Sequence, residues 1–192
     1  LSDEVHSDVY YDGRKHVSIL SVGDEAKHNC ILLTSSGKVF SIPGLKTAVT
    51  VIPNPRLKAQ YEAAAMNARV EIIDLALVGM AAGLNLCDDY ISELQYLQRN
   101  KDYAVKFFKE NSMDIVLTKP EASYLFWLDF NDWHMNCDQL AELLRKYSIV
   151  YSSGTEFGPG NEGFMRMNIA CHYEQLQGMC KALKKCYEEN IK

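Results

Sequence analysis

Three stretches of this sequence set reactive side chains where the chain turns. In Thr34-Ser35-Ser36-Gly37-Lys38-Val39-Phe40-Ser41-Ile42-Pro43-Gly44-Leu45-Lys46, one lysine is displayed among small hydroxyl residues and glycine. The apolar run at 30–33 leads into it and reads as a buried strand. A lysine on a tight loop at a strand's end can form a Schiff base when its amine is desolvated enough to lose a proton. A surface lysine in a Ser/Gly loop is the alternative, and a short motif alone leaves both open. The second stretch, Ser2-Asp3-Glu4-Val5-His6-Ser7-Asp8, puts Asp3 and His6 three residues apart at the end of a strand. Taken alone it is an ordinary solvated strand end. The third is a strand expected at 164–170 that carries Arg166. A planar guanidinium there can clamp a carboxylate through two parallel hydrogen bonds, or form a structural ion pair with a nearby acid.

The elements that must hold these residues read as an α/β protein. Strands are expected over 1–6, 30–34 and 48–52, the last ended by Pro53-Asn54-Pro55. Their continuous apolar character predicts a sheet buried on both faces. Residues 56–111 contain no proline and predict long helices, with Gly79 and Gly83 as breaks or close-packing points. Tyr90, Ile91, Leu94 and Leu97 recur at helical spacing, and this region reads as scaffold rather than site. Strands follow at 114–118, 123–130, 149–152 and 164–170, with a glycine-rich loop at 154–163. Asp138 is the expected cap of a helix ending near Tyr147, and a terminal amphipathic helix is expected over 173–190.

Composition narrows the function classes. The 192 residues, 47% hydrophobic and 23% charged, suit a folded domain with a real core. A net charge of −5 argues against a nucleic-acid partner. No apolar run approaches membrane-spanning length and residues 1–10 already carry three acids, so no membrane or signal segment is expected and a cytoplasmic location follows by default. The six cysteines are scattered without metal-ligand spacing and read as reduced, with Cys30 and Cys171 as core thiols. The histidines likewise form no metal template, so no metal is expected.

Taken together, the three stretches resemble fold-type I pyridoxal-phosphate (PLP) enzymes, the aminotransferase class I/II superfamily. The lysine segment there reads roughly Ser-x-Ser-Lys-x-Phe-x-x-Pro-Gly-Leu-Arg. Tyr11-Asp12-Gly13-Arg14-Lys15-His16, Glu121-Ala122-Ser123-Tyr124-Leu125-Phe126-Trp127-Leu128-Asp129-Phe130 and Gly158-Pro159-Gly160-Asn161-Glu162-Gly163-Phe164 look like the cystathionine β-lyase-like C–S lyase branch that includes cystalysin. The resemblance implies that Lys38 is the catalytic lysine, holding the PLP aldehyde and moving the substrate α-proton. It implies that Asp3 pairs with the pyridine nitrogen, that His6 flanks the ring near its phenolic oxygen, and that Ser35 and Lys46 bind the phosphate. Arg166 would grip the substrate α-carboxylate. Gly37 and Lys46 depart from the pattern, where serine and arginine are common, so one hydroxyl and one bidentate fork are missing.

The implied reaction is α,β-elimination on a sulfur-containing amino acid, giving a thiol, pyruvate and ammonia. An aminotransferase would use the same Lys38 and Arg166, and a non-catalytic PLP-fold chain is the third reading. The resemblance covers about the C-terminal half of such an enzyme. It divides the chain into the tail of the PLP-binding large domain (1–55), a connecting helical region (56–112) and a small α/β C-terminal domain (113–192). The glycine-containing phosphate turn, the aromatic residue stacked on the ring and an asparagine near the phenolic oxygen are not found here. The chain is therefore expected to be a fragment or truncation, acting in amino-acid metabolism as a homodimer or with a complementary N-terminal half. Apolar faces near Ile31, Leu33, Val49 and Val51 are expected to lack cover.

Overall fold

In a computed structural model, residues 1–69 and 71–192 are described, without the side chains of residues 87 and 88, so the expected free thiol of Cys87 lies outside the described residues. The β-branched and leucine-rich runs form short strands. β1 (Ser2–Asp3) pairs in parallel with β2 (Leu32–Thr34), with Asp3 opposite Leu33. β3 (Val49–Val51) pairs antiparallel on the other side, giving the order β1-β2-β3. Parallel pairing makes the chain leave β1 and β2 at the same edge of the sheet, where open α/β sheets bind ligands. The turn containing His6 follows β1 and the Lys38 loop follows β2. α1 (Asp24–Asn29) lies between the two strands in sequence.

The sheet is not buried on both faces as the apolar runs predicted. Leu32 is buried, but Val49 and Val51 on the edge strand β3 are 40% and 37% exposed. α2 (Pro55–Asn67) is started by Asn54, whose side chain accepts from the Arg56 and Leu57 amides, with Pro55 preset at the first helical position. α3 (Asp74–Leu84) is apolar on all sides. It buries Ala76, Met80 and Gly83 and leaves Leu75 and Val78 about two-thirds exposed (67% and 64%).

The chain forms two compact units, Leu1–Leu94 and Gln95–Lys192, and α4 (Cys87–Glu110) begins in the first and continues into the second. The second unit holds an antiparallel sheet, order β4-β5-β7-β6, from Val116–Leu117, Leu125–Asp129, Phe164–Asn168 and Ser152–Ser153. Along β5 and β7 buried residues alternate with half-buried ones, and Asn168 at the end of β7 is exposed. Phe126, Leu128, Met165 and Met167 go inward and join Leu140 and Leu144 of α5 (Cys137–Lys146) and Leu176 and Leu183 of α6 (Tyr173–Asn190) in the core. The buried Asn100 of α4 donates to the carbonyls of Ile169 and Cys171, pinning the helix to the end of β7.

Two boundaries differ from expectation. α5 is capped by Asn136, not Asp138. Asn136 and Gln139 exchange side-chain and backbone hydrogen bonds in a capping box, while Asp138 sits in the first turn, where its charge suits the helix dipole. The strand expected over 149–152 pairs only at Ser152–Ser153, because the Ile149 amide is used to close α5 on the Leu144 carbonyl. Cys30, Cys137, Cys180 and Cys186 are buried free thiols, whereas Cys171 is free but only half-buried. No helix among the described residues is long and apolar enough to cross a membrane.

Candidate active site

The Lys38 loop leaves β2 and is closed on itself by Ser35. Its hydroxyl donates to the Thr47 carbonyl (2.8 Å) and accepts from the Gly37 amide (3.0 Å). A Cβ at Gly37 would stand 3.1 Å from that hydroxyl, so glycine suits this tight approach. Pro43–Leu45 forms a single 3-10 turn, and Lys46 leaves it with φ +49°, a left-handed conformation that is uncommon for lysine. The loop encloses a cavity of about 190 Å³ lined by Ser35, Gly37, Lys38, Lys46 and Thr47, with Val5 from the turn after β1 and Ala76 and Met80 from α3. Among the described residues no carboxylate pairs with Lys38 or Lys46. Lys38 and Lys46 thus bring two amines to one cavity wall.

α3 forms part of this cavity's wall. Gly79 and Gly83, one helical turn apart, let it lie directly against the loop. A Cβ on Gly83 would come within 2.8 Å of Ser36 Oγ and 3.1 Å of the Phe40 ring, and one on Gly79 would overlap Leu45. The Ser36 hydroxyl donates to the Met80 carbonyl (3.3 Å), tying loop to helix.

Asp3 ends β1, is exposed, and accepts from the Val5 amide through Oδ1 (3.2 Å). It stands at the same sheet edge as the Lys38 loop, although Val5 and not Asp3 lines the cavity. His6 is half-buried in the following turn, its carbonyl accepting from the Val9 amide. Glu4, which sequence reasoning passed over, is the buried acid here. It accepts from the Ile19 amide (2.9 Å), Ser18 Oγ (3.3 Å) and Ser2 Oγ (3.1 Å), and lies 2.8 Å from His16 Nε2. Burial pushes its pKa up, but the hydrogen bonds from Ile19, His16, Ser18 and Ser2 together hold it below the ordinary value of 4.5. Apart from Ser2, its partners are 12 to 15 residues away along the chain, a separation with no periodic signature.

Arg166 belongs to the second unit. It lies in the middle of β7, opposite Ser152 on β6 and Trp127 on β5, so the three side chains form a row on the half-exposed face. Its Nη2 donates to Ser152 Oγ (3.1 Å), and its guanidinium carbon lies 4.6 Å from the centre of the Phe157 ring. Nearby, burial raises the Tyr124 pKa, an effect the Arg166 charge partly offsets. No carboxylate pairs with Arg166 among the described residues. Ser152 and Phe157 were missed as neighbours because neither spacing nor type marks them in the sequence. Among the described residues no group of three His, Cys, Asp or Glu side chains could hold a metal.

The donor set fits PLP in part. A lysine can take the aldehyde, a second lysine and loop donors can face the phosphate, and a carboxylate stands at the neighbouring strand end. The Ser35 proton is committed to Thr47, so giving it to a phosphate requires that bond to open.

Comparison with known proteins points the same way. The chain is 30% identical over 187 residues to cystathionine β-lyase PatB of Bacillus subtilis, covering 96% of this chain and 48% of that protein. It is 27% identical to LL-diaminopimelate aminotransferase of Dehalococcoides mccartyi, covering 91% of this chain and 44% of that protein. Cystalysin from Treponema denticola, whose crystal structure contains pyridoxal 5′-phosphate, superposes with a TM-score of 0.89 at 24% identity over 98% of this chain and 48% of that one, and shares the fold. The chain thus spans about half the length of the curated relatives it matches. The sequence profile of the aminotransferase class I and II family matches residues 1–183, and the chain belongs to that family.

Proposed function

We propose that this chain is part of a PLP-dependent C–S lyase of the cystathionine β-lyase type. The carrying observation is that Lys38 and Lys46, neither in an ion pair among the described residues, line one cavity at the edge where two parallel strands end. When bound, PLP supplies an aldehyde that captures an amine and a ring that stores the electrons of a carbanion. Lys38 would hold the aldehyde and move the α-proton of the substrate. Lys46 and the Ser35 hydroxyl would face the phosphate, Lys46 as a point charge without arginine's fork. Asp3 would keep the pyridine nitrogen protonated, and His6 would flank the ring. Arg166 would take the substrate α-carboxylate through its guanidinium edge.

The names of relatives such as the B. subtilis enzyme support elimination on a sulfur amino acid. The aminotransferase reading keeps the same residues and is supported by relatives such as the D. mccartyi enzyme. The free thiols of the five cysteines whose side chains are described support a reducing, cytoplasmic setting. The exposed outer face of α3, with Leu75, Leu77 and Val78, supports a homodimer or a complementary N-terminal half as its cover. The test supplies the remaining half of the fold, in cis or as a separate chain, with PLP and cystathionine. Release of pyruvate and a thiol is the expected result. Amino transfer to a 2-oxo acid with no thiol freed would replace the lyase by the aminotransferase.

A further inference from the structure

We infer that Phe157 and Ser152 are positioning residues for Arg166, holding its guanidinium so that one edge meets a carboxylate. This rests on the reading of Arg166 as the carboxylate clamp. The guanidinium is constrained in two directions. Ser152, its register partner on β6, takes one N–H of Nη2, and the guanidinium carbon lies over the Phe157 ring. A cation over an aromatic face is attracted by the ring's quadrupole, and an arginine so held loses less freedom when it binds.

The ring is itself held. It meets Trp127 edge-to-face (5.4 Å between centroids, 85°), and Trp127 is stacked on Phe164 (5.8 Å, 16°). The 3-10 turn Gly154–Phe157 that carries Phe157 is fixed at its start. Ser153 Oγ accepts from the Thr155 amide, and Gly154 packs so closely on the Asn161 and Phe164 carbonyls that no Cβ fits. Phe157 nevertheless remains 45% exposed. A large aromatic side chain, half in water and resting on a cation with no carboxylate partner among the described residues, contributes little to the core. Its place is explained by what it does to Arg166.

The test is the ratio of affinities for L-methionine and L-methioninamide, read from the Arg166 Nε–H signal of the isotope-labelled full chain without PLP. The unmodified chain is expected to prefer the acid. Phe157→Leu is expected to cut that preference about fivefold, Ser152→Ala to cut it as well, and Phe157→Tyr to keep it. Unchanged far-UV dichroism in all three separates the effect from unfolding, and Ser152→Ala, on a different element, is the second route should Phe157→Leu not fold. If Phe157→Leu and Ser152→Ala keep the full preference while Arg166→Ala abolishes it, the positioning role is overturned and the clamp stands. If the unmodified chain shows no preference, the clamp falls and the positioning role with it.

Discussion

Asp3 and Arg166 enter the proposed chemistry at different stages, and their surroundings suggest how to separate them. The Asp3 carboxylate is exposed and engages the Val5 amide through Oδ1. Asp3→Asn keeps an acceptor for that amide and removes only the charge. In the completed enzyme, turnover is expected to fall on the order of 100-fold or more, the scale of losing one charge-stabilising group. Substrate affinity should change little, and equal losses in both would contradict the assignment. Arg166→Ala acts on binding instead. It should weaken binding of the amino acid by about 2–5 kcal/mol if the pair is buried, and calorimetry with the amino acid and its amide checks this. A comparable loss for the amide would show that the effect is structural.

At the scale of elements, the turns that follow two parallel strands, with α3 packed against the Lys38 loop, shape the cavity. The Glu4 cluster fastens residues 16–19 to the end of β1, one residue from Asp3. Because its folded pKa is lowered, Glu4 contributes stability that is fully present above 4.5 and is lost as pH falls through the folded value. Denaturant titrations at several pH values should show this acid limb in the native chain. Glu4→Gln should lose much of it and be about 1–3 kcal/mol less stable at neutral pH. An unchanged acid limb in that variant would contradict the assignment. Gly83 makes the matching point for α3. Gly83→Val drives a side chain into Ser36 and Phe40 and should destabilise the unit by about 1–3 kcal/mol while displacing the Lys38 loop. Full stability with an unmoved loop would count against α3 as the loop's support. The sequence disclosed α6 from its apolar spacing and the Lys38 loop from its glycine, hydroxyls and proline. It did not disclose Glu4's partners or Phe157 over Arg166, because such contacts depend on tertiary approach rather than on period. The cap of α5 was misplaced by two residues because Asn136 and Asp138 are both good capping types, and only the Asn136–Gln139 reciprocity decides between them.

For the molecule as a whole, the cavity at Lys38 supplies part of what PLP needs. It offers amines and backbone donors, but the described residues lining it include no aromatic side chain to stack on a ring. Catalysis depends on a preorganised set of contacts, so a partial set should bind weakly and turn over little. The chain alone is expected to release little or no pyruvate, and the chain completed by the missing half of the fold to do so at an ordinary rate of about 1–1000 per second. An ordinary rate from the chain alone would refute this. The cofactor position can be tested most directly by saturating the full chain with PLP, reducing with borohydride and mapping the modified peptides by mass spectrometry. A single modified site at Lys38, lost in Lys38→Ala and kept when Lys106 is changed, is the predicted result. Label spread over several lysines, or fixed at a lysine other than Lys38, would contradict it.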